Sequence, residues 1–242
     1  MKNYFLIALL GTTLFSCTQS NSQGQKAQKR VGSGCEGCEV IYQSPIPFER
    51  LNWIDTLPDF NEKGIRLVIS GTVFKSDGIT PAPGVVLYVY HTDQTGHYTN
   101  KYNEEGYAGH NGYIKGWVKT NERGQYKFYT LKPAPYPGTR VPAHIHPVIK
   151  EPGKNEYWID EYLFDDDPLL TQEERRKQEG RGGSGILKPK EKNGVLYGER
   201  NIYLGKRVPN YYSQEKGMIA PLAGYAFIPC PDPVINFAII SR

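Results

Sequence analysis

Tyr136 is followed eight residues later by His144-Ile145-His146. In an extended strand successive side chains point to opposite faces, so His144 and His146 share a face and two imidazoles can hold one metal ion. Tyr136 and a second tyrosine, Tyr98 in Gly96-His97-Tyr98, add two phenol oxygens. An isolated phenol, with a pKa of about 10, is a poor ligand at neutral pH. A trivalent cation reverses this by favouring the charged form. Two phenolates and a hydroxide cancel three positive charges, so such a centre can be buried without a net charge, whose desolvation costs about several kcal/mol per ion. Zinc more often takes thiolate, imidazole and carboxylate. Taken together, Tyr98, Tyr136, His144 and His146 predict one Fe(III) per chain. Taken singly each is weak: a strand His-x-His also occurs in zinc enzymes, and most of the 18 tyrosines must pack.

The elements that must position these groups read as short strands. Residues 66–74 alternate and end in Lys75-Ser76-Asp77-Gly78, a hairpin signal. The β-branched and aromatic run 85–91 ends at Asp93-Gln94-Thr95-Gly96. Residues 117–119 and 125–130 flank Asn121-Glu122-Arg123-Gly124, and 143–150, 157–164 and 195–204 are further strands. Only 171–179 looks helical, and Arg181-Gly182-Gly183-Ser184-Gly185 reads as a mobile loop. The fold class is therefore all-β, an antiparallel β-sandwich with long loops and little helix.

The chain has 242 residues, 38% hydrophobic and 12% aromatic, with a net charge of +4 and interspersed signs. That describes a folded protein and gives no support to a nucleic-acid partner. Lys2 and the apolar stretch 4–15 form a targeting segment too short to span a bilayer comfortably. Leu14-Phe15-Ser16-Cys17 resembles a lipoprotein cleavage box, which implies a signal peptide over 1–16 and a lipid on Cys17. The organisation expected is a lipidated flexible tether over 17–40 and one domain over 41–242 whose C-terminal tail wraps back. Localisation follows as exported and membrane-anchored, through Cys17 alone. Cys35 and Cys38 either pair locally or one of them bridges to Cys230; the sequence leaves both open.

In motif order the chain resembles the intradiol ring-cleavage dioxygenases, the protocatechuate type in particular. The resemblance covers about residues 65 to 205 and is carried by Asp93-Gln94-Thr95-Gly96-His97-Tyr98, Leu131-Lys132-Pro133-Ala134-Pro135-Tyr136-Pro137 and Pro142-Ala143-His144-Ile145-His146. It implies an enzyme that cleaves a catechol-type diol with O2, between the hydroxyl-bearing carbons, to a cis,cis-muconate. It also implies Tyr98 and His144 as equatorial ligands and Tyr136 and His146 as axial ones. Tyr136 is then displaced by the diol and acts as its base. Two departures bear on the substrate: Val141 stands where the family places an arginine, with Arg140 one residue earlier, and Asp160-Glu161 stand where relatives carry glutamine. Arg140 is the candidate for the missing catalytic arginine, and Val141, Glu161 and Tyr162 are the candidates for the pocket wall. The rival readings are a cell-surface binding module of the carboxypeptidase-regulatory type and an iron-holding homologue without turnover. Tyr107, Tyr113 and Trp117 fall between pocket and core.

Overall fold

The computed structural model describes residues 29–211. Cys17, Cys230, the segment 1–16 and the tail beyond Tyr211 lie outside the described residues. The strands run in the order β1 (Ile54–Thr56), β2 (Arg66–Phe74), β3 (Val86–His91), β4 (Lys115–Lys119), β5 (Gln125–Leu131) and β6 (His144–Lys150). They continue through β7 (Tyr157–Trp158), β8 (Tyr162–Phe164), β9 (Ile186–Leu187), β10 (Lys190–Lys192), β11 (Val195–Glu199) and β12 (Ile202–Tyr203). One sheet has the order β1-β5-β2-β11-β10, with β12 also on β2; the other is β4-β3-β6-β8-β9, with β7 also on β6.

The two sheets form the expected sandwich, but each is mixed. The central pairs β2–β5, β3–β4, β3–β6 and β6–β8 are antiparallel. The pairs β1–β5, β11–β2, β12–β2 and β8–β9 are parallel. Antiparallel neighbours can follow one another through a short turn, whereas parallel neighbours need a long connection. The parallel partners here are indeed separated by long excursions: between β2 and β11 the chain builds the whole second sheet.

Alternation along the strands explains both sides of that second sheet. Leu87 and Val89 of β3, Ile145 and Ile149 of β6, and Tyr162 and Phe164 of β8 face Leu67, Ile69, Tyr126 and Phe128 in the main core. The opposite face of the same strands carries Val86 and Tyr88, Val148, and Trp117 of β4, which are covered by Cys38, Val40, Ile41 and Leu51. The indole nitrogen of Trp117 donates to the Ile41 carbonyl at 2.9 Å. The packed body therefore begins near Val31, which is fully buried, and not at residue 41. A hydrophobic run that completes a sheet face cannot stay in a tether.

Three other expectations change. The strand foreseen over 157–164 is broken at Asp160, whose carboxylate accepts from the backbone N–H groups of Gly180 and Arg181. The glycine segment 181–185 is packed, not mobile: Arg181 is buried and lies 3.6 Å over the Trp158 ring, and a Cβ on Gly185 would sit 1.9 Å from the Glu161 carbonyl oxygen. Gly185 serves close backbone approach, while Gly182 and Gly183 take positive φ, 71° and 99°. The helix foreseen over 171–179 is the shorter α2 below, and a five-residue helix with two glycines, α1 (Gly106–His110), carries too little periodicity to be read in advance. Thr171 caps α2 (Gln172–Lys177) by accepting from the Glu174 N–H at 3.2 Å. Among the described residues no helix is long and apolar enough to cross a membrane.

Candidate metal centre and the cavities beside it

The outward face of β6 presents His144 and His146 at the end of the sheet that the N-terminal segment leaves less covered. Register fixes their neighbours: His144 pairs with Leu163 and His146 with Tyr90. The Tyr90 ring stacks on the His146 ring at 4.7 Å. The tyrosines come from two loops that lean on each other. Asp93 organises the first, its carboxylate accepting from the N–H of Thr95 at 2.8 Å and the hydroxyl of Thr99 at 2.5 Å. Gly96, at φ 80°, lets this loop press on the second: a Cβ there would stand 2.2 Å from the Pro135 carbonyl oxygen. The Thr92 hydroxyl donates to the Ala134 carbonyl at 2.6 Å and closes the same seam.

Four donor atoms form a closed loop. Tyr98 Oη lies 2.8 Å from Tyr136 Oη, which lies 3.1 Å from His144 Nε2. His144 Nε2 is 3.0 Å from His146 Nε2, which is 2.9 Å from Tyr98 Oη. Edges of this length are what ligands about 2 Å from one cation and at right angles to each other would show. The sequence thus named four groups that the fold brings to one point. Among the described residues there is no group of three or more His, Cys, Asp or Glu side chains that could hold a metal ion.

Protonation agrees with that function. His144 Nδ1 faces the Pro142 carbonyl at 2.7 Å, so Nδ1 carries the hydrogen and Nε2 is left with its lone pair towards the centre. Burial, with His144 and His91 nearby, holds His146 down to about 3, so its ring is neutral at neutral pH. Burial pushes the Tyr98 phenol far up, reinforced by the hydrogen bond to Tyr136. Burial raises Tyr136 as well, opposed by Tyr98 and assisted by the Glu161 charge. Without a cation both phenols stay protonated; a bound trivalent ion supplies what burial withholds.

Two cavities flank the loop of donors. One, of about 200 Å³, is bordered by His146, Tyr90, Trp158, Glu161 and the Cys35–Cys38 turn. The other, of about 160 Å³, is bordered by His144, Val141, Leu163, Glu161 and Glu174. Val141 thus borders the second cavity and Glu161 borders both. Tyr162 borders neither: it is fully buried between the sheets, donating to Tyr126 Oη at 3.1 Å. Side chains alternate along β8, and Leu163 takes the outward position opposite His144. Arg140 is exposed and borders neither cavity. Cys35 and Cys38 form a disulfide with each other. Trp117 and Tyr113 are buried, while Tyr107 is half exposed and its hydroxyl donates to Glu36. Sequence reading missed Tyr90, Trp158 and Glu36 as wall residues. Tyr90 was reachable, since alternation along β3 puts it on the face of His146; the N-terminal turn was not, because nothing local says where it docks.

A family model described as a dioxygenase matches residues 50–178, more than half of the chain. The protein belongs to the intradiol dioxygenases. Solved structures of other dioxygenases are similar to part of the chain. The dioxygenase domain of a carbohydrate-binding fusion protein from Streptomyces sp. SirexAA-E is 21% identical, with a TM-score of 0.45 over 60% of this chain and 82% of that one. Catechol 1,2-dioxygenase from Acinetobacter sp. ADP1 is 17% identical, with a TM-score of 0.47 over 62% of this chain and 56% of that one. Hydroxyquinol 1,2-dioxygenase from Pseudomonas putida DLL-E4 is 18% identical, with a TM-score of 0.46 over 66% and 63%. The match thus spans less than two thirds of the length of those last two intradiol dioxygenases.

Proposed function

We propose that this protein is a non-haem Fe(III) dioxygenase that opens the ring of a catechol-type diol between its two hydroxyl-bearing carbons, inserting both atoms of O2 to give a cis,cis-muconate-type product. The observation that carries this reading is the closed loop of Tyr98, Tyr136, His144 and His146 donor atoms at 2.8–3.1 Å. Ferric iron fits that set because two phenols can become phenolates and two neutral imidazoles complete it. When bound, it supplies Lewis acidity that draws electron density from the diol and readies its ring for O2.

The chain's own residues do the rest. His144 and His146 sit on a central strand and fix the site rigidly; His144 is further locked by the Pro142 carbonyl. The base's role is assigned to Tyr136, which sits on a loop and is half-buried. With a metal in place, its Oη would be the group positioned to take a proton from the incoming diol, a general-base role worth about 10²–10⁴ in rate. Tyr90 packs flat on His146 and keeps that ring from turning. Cavities of about 160 and 200 Å³ are smaller than sites for drug-sized ligands, roughly 300–1,000 Å³, and suit a single ring.

The experiment is oxygen uptake by the iron-loaded protein with catechol, alongside its visible spectrum. Phenolate-to-iron charge transfer should colour the holoprotein red to purple, and uptake should match ring opening mole for mole. Colourless iron-loaded protein, or no uptake across neutral diols, would end this reading. Export and lipid attachment at Cys17 are proposed as well, supported by the basic, apolar and Cys-ended order of residues 2–17. Metabolic labelling with a fatty acid, lost in Cys17→Ala, tests that separately.

A further inference from the structure

Glu161 is the one acidic side chain that borders both cavities beside the donor atoms. Its Oε1 lies 3.7 Å from His146 Nδ1. Glu36 joins it on the wall of the first cavity and Glu174 on the wall of the second. Among the described residues no lysine or arginine borders either cavity. Arg181, whose guanidinium lies over the Trp158 ring, is occupied by Glu179, with Nε to Oε2 at 2.7 Å. Glu174 is paired with Lys177, Nζ to Oε1 at 2.6 Å, so the carboxylate that a ring substituent meets in either cavity without a lysine or arginine to offset it is that of Glu161. The first cavity also offers the rings of Tyr90 and Trp158.

We infer that Glu161 sets the substrate charge class: the site takes neutral catechols and, best, those with a cationic aminoalkyl arm, and it rejects diols bearing a carboxylate. This rests on the dioxygenase reading and sharpens it. A like charge a few ångströms away disfavours a bound carboxylate, whereas an ammonium gains both the Glu161 charge and an aromatic wall. Electrostatic complementarity of this kind separates partners chiefly by penalising the wrong one. The diol is common to all these compounds, so the substituent alone discriminates.

The test is equilibrium binding of catechol, dopamine and protocatechuate to the iron-loaded full chain under nitrogen, by calorimetry, so that no turnover is needed. Expected is a Kd for dopamine below that for catechol, and a Kd for protocatechuate at least about tenfold above it at low salt, with the spread narrowing as salt is raised. In Glu161→Gln the ratio of protocatechuate to dopamine Kd should fall by about tenfold. Because a ratio on one preparation is read, partial misfolding of the variant cancels; Glu36→Gln should narrow the ratio less. Catechol bound and cleaved, with protocatechuate bound as well as dopamine, overturns the inference and leaves the dioxygenase reading standing, as does an unchanged ratio in Glu161→Gln. Catechol neither bound nor cleaved overturns both.

Discussion

The Nε2 atoms of His144 and His146 face each other at 3.0 Å. His144 spends its ring hydrogen on the Pro142 carbonyl, so its Nε2 brings a lone pair to that contact. In the metal-free protein a single hydrogen from His146 or from a phenol must satisfy it, and the neighbouring phenols compete for the same hydrogens. One cation satisfies all four atoms at once. Iron loading should therefore stabilise the fold by about 2.7 kcal/mol at a hundredfold excess over Kd. A thermal melt with and without Fe(III) reads this as a rise in Tm of several degrees. In His146→Ala the rise should vanish, and a rise that persists would place the ion elsewhere.

Uptake of the ion should grow steeper with pH. Burial raises both phenols, Tyr98 the more, so each enters the complex by losing a proton that it still holds in the free protein. The sign is fixed: the metal-bound state holds fewer protons, so affinity increases as pH rises and falls as it drops. Competition against a chelator, at pH values where free Fe(III) is buffered, should give a log Kd slope near two protons. Tyr98→Phe should remove about one of them. A slope indifferent to pH would mean that the phenols do not ligate as phenolates.

The four donor groups were legible because their information is local. Strand periodicity places His144 and His146 together, and residue type supplies the rest of the chemistry. The sandwich was legible for a related reason, since residues 125–130 alternate in burial and 66–74 form a run rich in β-branched and apolar residues. What could not be read was docking. The Cys35–Cys38 turn reaches the cavity because Val40 and Ile41 complete a sheet face far along the chain. The parallel edges depend on where the chain returns after long excursions, which no window of sequence records. Tyr162 went astray by one residue of register, the smallest error a strand allows and the one that exchanges pocket for core.

That exchange can be measured. Tyr162 donates to Tyr126 Oη at 3.1 Å, Tyr126 donates to the Arg200 carbonyl at 2.8 Å, and the Arg200 guanidinium sits 4.6 Å over the Tyr162 ring. Tyr162→Phe keeps the ring and loses one buried hydrogen bond, so a loss of about 1 kcal/mol is expected in urea unfolding. Tyr162→Leu also removes the ring from a buried cation and should cost clearly more. Neither should change the Kd for catechol, because the side chain faces the main core. A phenylalanine variant of normal stability but altered Kd would return Tyr162 to the pocket.

Gly185 ties the stability of the sandwich to the position of Glu161. Its amide frame lies against β8, with the Leu163 N–H donating to the Gly185 carbonyl at 3.1 Å. A Cβ there would stand 1.9 Å from the Glu161 carbonyl oxygen and 3.5 Å from Arg200 Nη1. The first contact is backbone, so relief requires β8 or the glycine segment to move, an overpacking cost of about 1–3 kcal/mol. Gly185→Ala should lower Tm by roughly 2–4 °C per kcal/mol lost. Gly34→Ala, with nothing within 4 Å of its Cβ, should shift stability by no more than about 0.5 kcal/mol. The Gly185 contact is with the backbone of Glu161 itself, so Gly185→Ala should change the affinity gap between dopamine and protocatechuate in protein that remains folded. Equal Tm for the two glycine variants would show that the close approach of Gly185 to β8 is not a constraint on the fold.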